Sequence, residues 1–189
     1  MTPASDIELV AGLRAGDTDA FDAAYARHAP RLFRFLVHLC ARRHVAEDVL
    51  QETWLKLATH APELRPETEL GAWLFTVARN GWLSRARVES RVVELESAGE
   101  RAAPEPTPES RAVASSAVRA LERALSALGD GDREILLLVG VEEMSPATAR
   151  AVLGLGEVAF RQRLHRARSR LASELERAPR LASSDWTEK

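Results

Sequence analysis

The chain has 189 residues, enough for one or two small domains, and its formal charge of -2 excludes a uniformly basic nucleic-acid coat, so any phosphate-binding surface has to be local. A hydrophobic share of 46% with only 5% aromatics points to aliphatic helix packing, and the single cysteine, Cys40, excludes an internal disulfide and fits a reducing compartment. Lys56 and Lys189 are the only lysines. The arginine bias is what a GC-rich genome produces, and it also suits phosphate and base-edge contacts. The N-terminus is acidic and no apolar run approaches about 20 residues. A cytoplasmic protein with no signal peptide and no membrane insertion is therefore expected.

In chain order, Ser5 and Asp6 can cap a first helix whose apolar positions are Ile7, Leu9, Val10 and Leu13, and Gly16-Asp17 ends it. Thr18 opens a second helix with Phe21, Ala24 and Tyr25 on one face. Pro30 at a first turn predicts a third, carrying Leu32, Phe33, Leu36, Val37 and Leu39. Residues 45–91 then read as two helices around a hinge, HAPELRPETEL, which Pro62 and Pro66 break. The first of these helices has Glu47, Asp48, Gln51 and Glu52 in its opening turns, where the backbone dipole favours anions. The second carries Arg79, Arg85, Arg87 and Arg91 among Trp73, Asn80 and Trp82. Acid on one helix, and base with aromatics on the next, suggest two different partners.

The composition changes at residues 92–110, VVELESAGERAAPEPTPES, where glutamates and prolines cannot bury enough apolar surface to offset ordering entropy. This stretch reads as an acidic linker between an all-α domain at 1–91 and a second helical domain at 111–178, with a disordered tail at 179–189. In the second domain Gly129-Asp130-Gly131 reads as a turn with a cap at or beside Asp132, and Ser145-Pro146 as a helix start. Gly154-Leu155-Gly156 then leads into EVAFRQRLHRARSRLASEL. Helix, glycine turn, helix is the spacing of a helix-turn-helix. In its last helix Phe160, Leu164, Ala167 and Leu171 share a face, and five arginines stand against one glutamate from Glu157 to Leu171. The fold class expected is all-α, two small domains on a flexible acidic linker.

Four pieces carry a family resemblance: DIELVAGLRAGDTDAFDAAYARHAPRLFRF, AEDVLQETWLKL, AWLFTVARN and LGLGEVAFRQRLHRARSRL. In this order, with a linker between the third and fourth, they resemble the extracytoplasmic-function (ECF) sigma factors of bacterial RNA polymerase. The resemblance implies a non-enzymatic subunit that directs promoter recognition, strand opening and transcription initiation. Its implied partners are promoter DNA, an anti-sigma factor, and polymerase core through the clamp helices of the largest subunit and the flap of the second-largest. It implies no cofactor and no small-molecule substrate. Carried over by position, Glu47, Asp48, Gln51, Glu52, Trp54 and Leu55 resemble the core-docking face. The hinge at 61–71 resembles the loop that captures a flipped base. Arg65, Trp73, Thr76, Arg79, Asn80, Arg85 and Arg87 fall in the -10 region, and Glu157, Arg161, Gln162, His165, Arg166 and Arg168 in the -35 recognition helix. The chain departs from the family pattern at Ser84, Thr148, Ala149, Arg150, Gly156 and Ala159.

Simpler explanations compete at several of these positions. Trp73, Leu74, Val77 and Trp54 have helical spacing that suits a core. Asp48 and Glu52 share a helix face with no basic or nucleophilic partner nearby in sequence, which argues against acid–base catalysis by a helical hydrolase. Of His38, Cys40 and His44 only the last two share a face, and a third ligand is missing, so no metal site is expected. The alternative to a sigma factor is a stand-alone helix-turn-helix transcriptional regulator built on the residues after Ser110, which leaves residues 45–91 unexplained.

Overall fold

The computed structural model describes residues 5–40, 42–96 and 116–177, and every regular element among them is helical. Helix α1 (Asp6–Arg14) starts in a capping box: Ser5 Oγ accepts from the Glu8 N–H while the Glu8 carboxylate accepts from the Ser5 N–H. Asp17 caps α2 (Thr18–Leu39) through the Asp19 N–H.

That helix corrects one expectation. No separate helix begins at Pro30; α2 runs straight through it. An internal proline costs about 3 kcal/mol by removing a donor and crowding the preceding turn. Here Ala24, His28, Ala29, Leu32, Phe35, Leu36 and Leu39 form one buried stripe across the proline, and burying leucines and phenylalanines such as Leu32, Phe35, Leu36 and Leu39 stabilises by roughly 1.5–3 kcal/mol each. The stripe outweighs the break, with Pro30 itself on the exposed side.

Helix α3 (Arg43–His60) ends in a 3-10 turn at Ala61–Glu63, and α4 (Leu70–Glu96) starts after the loop containing Pro66. The Leu70 N–H, otherwise an orphan at the start of α4, donates to Asp6 Oδ2 on α1. Helix α4 continues past residue 91, because VVELE contains no breaker. The remainder of the expected linker, and the expected tail at 179–189, lie outside the described residues. Helices α1 to α4 pack on one another around Phe35, Phe75, Leu9, Leu36, Leu57 and Leu74, all almost fully buried. Phe35 and Phe75 meet edge-on at 5.2 Å.

The second half holds α5 (Ser116–Ala127), α6 (Asp130–Leu136), α7 (Pro146–Leu153) and α8 (Glu157–Arg177). Gly129 is the N-cap of α6, so Asp130 and Gly131 belong to that helix's first turn and not to a separate turn before it. Gly131 lets the Arg163 guanidinium of α8 lie directly over the backbone, where a Cβ would push that side chain aside. Arg133 closes the α5 end by donating to the carbonyls of Leu125, Ser126 and Leu128 at 2.7–2.9 Å. After α6 the backbone widens into a π turn over Leu137–Val141, with the Glu142 N–H bonded to the Leu137 carbonyl. Ser145 caps α7 with Pro146 at its first position, and Gly154 ends it at φ 64°, a left-handed cap that a side chain would strain.

The two halves touch. Helix α4 packs on α7, α2 on α6, and the buried residues of both halves form one continuous cluster.

Candidate nucleic-acid interface

The helix-turn-helix is α7, the Gly154–Gly156 turn and α8. Phe160 and Ala167 of α8 are buried, and Leu164 and Leu171 pack against the same core, as the spacing predicts. Their burial fixes the rotation of α8 and so decides what the other face presents. On it stand Glu157, Arg161, Gln162, His165, Arg166 and Arg168, all exposed. Gln162, Arg163 and Arg166 line a shallow groove of about 440 Å³ with Asp132, Leu155, Ala159 and Arg170. Arg170 is held by the buried Asp132, and Arg163 lies over Gly131, so these two arginines of the run are structural in part. An exposed face of arginine, glutamine and histidine on a helix behind a tight turn can supply both phosphate charge and base-edge donors.

Three of the departures from the family pattern, Thr148, Ala149 and Arg150, have physical explanations here. Arg150 Nη1 reaches Glu157 at 3.6 Å across the turn, and Glu157 also faces Arg161 at 3.9 Å. The arginine at a normally small position thus serves as a counter-ion at the start of α8. Ala149 is fully buried beneath it. Thr148, standing where a capping-box glutamate is usual, donates its hydroxyl to Glu69 at 3.3 Å in the other half, while Ser145 Oγ still accepts from the Thr148 N–H.

The acidic stretch is brought next to the basic one. Asp48, Gln51 and Glu52 lie exposed on α3, as do Glu47 and Leu55, the latter 60% exposed. Trp54 does not share that face: it is buried against Tyr25, with ring centroids 4.8 Å apart, and against Phe21. It supports the surface from beneath. Arg85 on α4 donates to Asp48 at 3.1 Å and to Glu52, and these carboxylates raise its pKa further, the Glu52 hydrogen bond most. The basic partner absent from the local sequence is therefore Arg85, which sits across a helix crossing.

Along α4, Asn80 and Arg87 are exposed, and Arg65 is exposed in the preceding loop. Trp73 and Thr76 are half-buried, the Thr76 hydroxyl donating to the Ala72 carbonyl. Leu74 is fully buried and Val77 half-buried, so the core explanation holds for Leu74. Arg79 is engaged elsewhere: its Nε donates at 2.5 Å to Glu134 of α6, which is 2% exposed. Burial pushes the Glu134 carboxyl up, and the arginine pulls it partly back. A second buried glutamate, Glu142 after the π turn, accepts from Arg31 Nε at 2.9 Å and from Arg34 at 3.1 and 3.2 Å. No sequence signal points to either contact; the partners are 55 to 111 residues apart.

Comparison with known proteins bears on the family and the fold. The sigma-70 region 2 family matches residues 24–92, and sigma-70 region 4 matches residues 118–171. The sigma factor CarQ of Myxococcus xanthus is 34% identical over 161 residues, covering 84% of this chain and 90% of that protein. The ECF sigma factor EcfG of Rhodopseudomonas palustris is 31% identical over 158 residues, covering 84% and 86%. Among solved structures, the sigma factor RpoE in complex with the anti-sigma factor NepR from Bartonella quintana matches with a TM-score of 0.71 at 29% identity, covering 85% of this chain and 98% of that one. CnrH in complex with the cytosolic domain of CnrY matches at 0.68 and 25% identity, covering 92% and 98%.

Two helical domains, the second with a helix-turn-helix, define a transcription-initiation factor. The chain belongs to the ECF sigma factors of the sigma-70 family, which bind RNA polymerase core and direct it to promoter DNA.

Proposed function

We propose that the family's tasks are divided along this chain as its exposed surfaces suggest. The α3 face of Glu47, Asp48, Gln51, Glu52 and Leu55 docks on polymerase core, over a support formed by Trp54. Residues 1–91 also open the -10 element. Asn80, Arg87 and Arg65 meet the displaced strand, with Trp73, Thr76, Arg79 and Arg85 behind or beside them, and unstacked bases are held by stacking and backbone charge. Residues 111–178 read the -35 element through α8, and the chain that follows α4 tethers the two. The observation that carries this division is the α8 surface, where Arg161, Gln162, His165, Arg166 and Arg168 are all exposed while Phe160 and Ala167 are buried.

Membership of the sigma-70 family supports a protein that acts without catalysis of its own, in the cytoplasm. No described helix is long and apolar enough to cross a membrane, and no cluster of metal-ligating side chains occurs among the described residues. Because the RpoE and CnrH structures are complexes with NepR and with the cytosolic domain of CnrY, this chain too is expected to bind a protein antagonist. The test of the strand-opening assignment is Asn80→Ala. Holoenzyme formation stays intact while permanganate reactivity of the melted promoter falls, and unaltered reactivity on several promoters refutes the assignment.

A further inference from the structure

The first turn of α8 carries apolar surface that its packing does not use. Val158 is 60% exposed, and Ala159, one of the positions at which the chain departs from the family pattern, is exposed beside it. Neither belongs to the stripe of Phe160, Leu164, Ala167 and Leu171 that seats the helix on the core. Single exposed apolar side chains are ordinary on a protein surface. Val158 is distinguished by its place. It stands three, four and seven residues before Arg161, Gln162 and His165, which puts it on their exposed helix face.

A valine in a helix is held to essentially one χ1 rotamer by the preceding turn. That loss of freedom disfavours it at an exposed helical site, and Val158 recovers little by packing on the protein. The same restriction makes it a preorganised contact, because its methyl groups are already fixed in direction before anything meets them. The charges around it are balanced as well. Glu157 Oε2 lies 3.6 Å from Arg150 Nη1 and Glu157 Oε1 3.9 Å from Arg161 Nη1, so each carboxylate oxygen faces its own guanidinium. The one anion of the arginine run is thereby compensated within the protein, and the first turn can approach a polyanion.

In the major groove of DNA the base edges present one apolar group, the C5 methyl of thymine, and the first residues of a recognition helix are the ones that reach base edges. We propose that Val158 is a specificity-determining residue of the -35 interface, its methyl groups packing on the C5 methyl of one thymine. This role rests on the assignment of α8 to the -35 element.

The test is binding of the holoenzyme, formed with the full-length chain, to duplexes of the promoter region upstream of its own gene, with each -35 thymine replaced singly by deoxyuridine. The replacement deletes the C5 methyl and keeps every hydrogen-bonding edge. Wild type should lose about fourfold in Kd at one thymine, the worth of one methyl-sized group removed from water. Val158→Ala should show that same loss on the thymine duplex and then respond equally to thymine and deoxyuridine at that position. Its discrimination against a scrambled -35 sequence should persist through Arg161 and Gln162. Val158→Ile, which keeps the β-branch, should retain the thymine preference. Because the side chain is exposed, Tm of both variants should stay within about 2 °C of wild type. With matched and scrambled sequences still distinguished, the absence of any deoxyuridine-sensitive thymine in wild type, or a sensitivity that survives Val158→Ala, would overturn the proposal. So would a clear fall in Tm for Val158→Ala with matched and scrambled binding weakened alike, which would make Val158 a support of α8. Wild-type holoenzyme that does not distinguish matched from scrambled -35 DNA would instead overturn the assignment of α8, and this role with it.

Discussion

Replacing Asp48 and Glu52 together with alanine separates docking from folding on α3. The two side chains are 55% and 48% exposed, and Arg85 between them 32%. Pairs this accessible contribute roughly 0.2–1 kcal/mol each, so the loss in stability is at most about 2 kcal/mol. For a chain of this length a kcal/mol moves Tm by about 2–4 °C, which limits the drop to about 8 °C. If the carboxylates are anchors of the polymerase interface, truncating each costs about 2 kcal/mol or more, or roughly 30-fold in Kd for one of them. The control is Arg85→Ala, which breaks the same two ion pairs and leaves the carboxylates in place. Differential scanning fluorimetry should give the two proteins similar small losses. Titration of labelled core, without DNA, should show weakened binding only for the Asp48, Glu52 variant. Equal loss of core binding in both would mean that the carboxylates act by clamping α3 to α4 and do not dock.

Three further outcomes are expected. Gly12→Ala should lower Tm by up to about 8 °C, because its Cβ would stand 2.5 Å from the Ala20 Cβ where α1 meets α2, and a clash of about 1–3 kcal/mol less the ~1 kcal/mol gain in helix propensity leaves a net loss of up to about 2 kcal/mol; a raised Tm would show that the helices simply shift. In holoenzyme binding across a salt series, Arg161→Ala should cost about 1–3 kcal/mol on a matched -35 sequence and relax preference there, while Arg166→Ala should weaken matched and scrambled sites alike and reduce the salt slope by about 0.9; wild-type behaviour in both would mean α8 does not face DNA. Burial lowers the pKa of His28 and His38, so the unfolded chain binds protons that the folded one refuses. Their contribution is complete above about pH 6.5 and shrinks as pH falls below it, so Tm should decline between about pH 6.5 and 5. The raised Glu134 pKa acts in the opposite sense nearer the carboxylate range, and a Tm that rises over the histidine window would contradict the assignment.

Much of this protein was legible in the sequence because its helices are marked locally. The Ser5 and Ser145 caps, the Gly154 stop, and the Phe160, Ala167 stripe are signals within a few residues of the elements they define. Where local signals met tertiary packing, packing won: Pro30 reads as a helix start, yet the buried stripe on either side makes one helix of α2. The exposed, arginine-rich face of α8 was legible for the same reason, since an amphipathic helix names its exposed side. The state of each charged side chain was not. Asp48 and Glu52 read as solvated or docking carboxylates until the α3–α4 crossing brings Arg85 to them. Arg79 reads as a DNA ligand until Glu134 arrives from 55 residues away. Trp54 is grouped with the exposed α3 residues by resemblance and is instead buried against Phe21 and Tyr25.

The central claim is that this chain confers promoter-specific initiation on RNA polymerase. Its most direct test is run-off transcription with purified core, with and without the full-length protein, on the promoter region upstream of its own gene. A discrete transcript that requires the protein, and disappears when the template's -10 or -35 sequence is scrambled, is the predicted result. No transcript above that of core alone, with the protein binding duplex DNA specifically in the absence of polymerase, would contradict the claim and identify a stand-alone helix-turn-helix regulator.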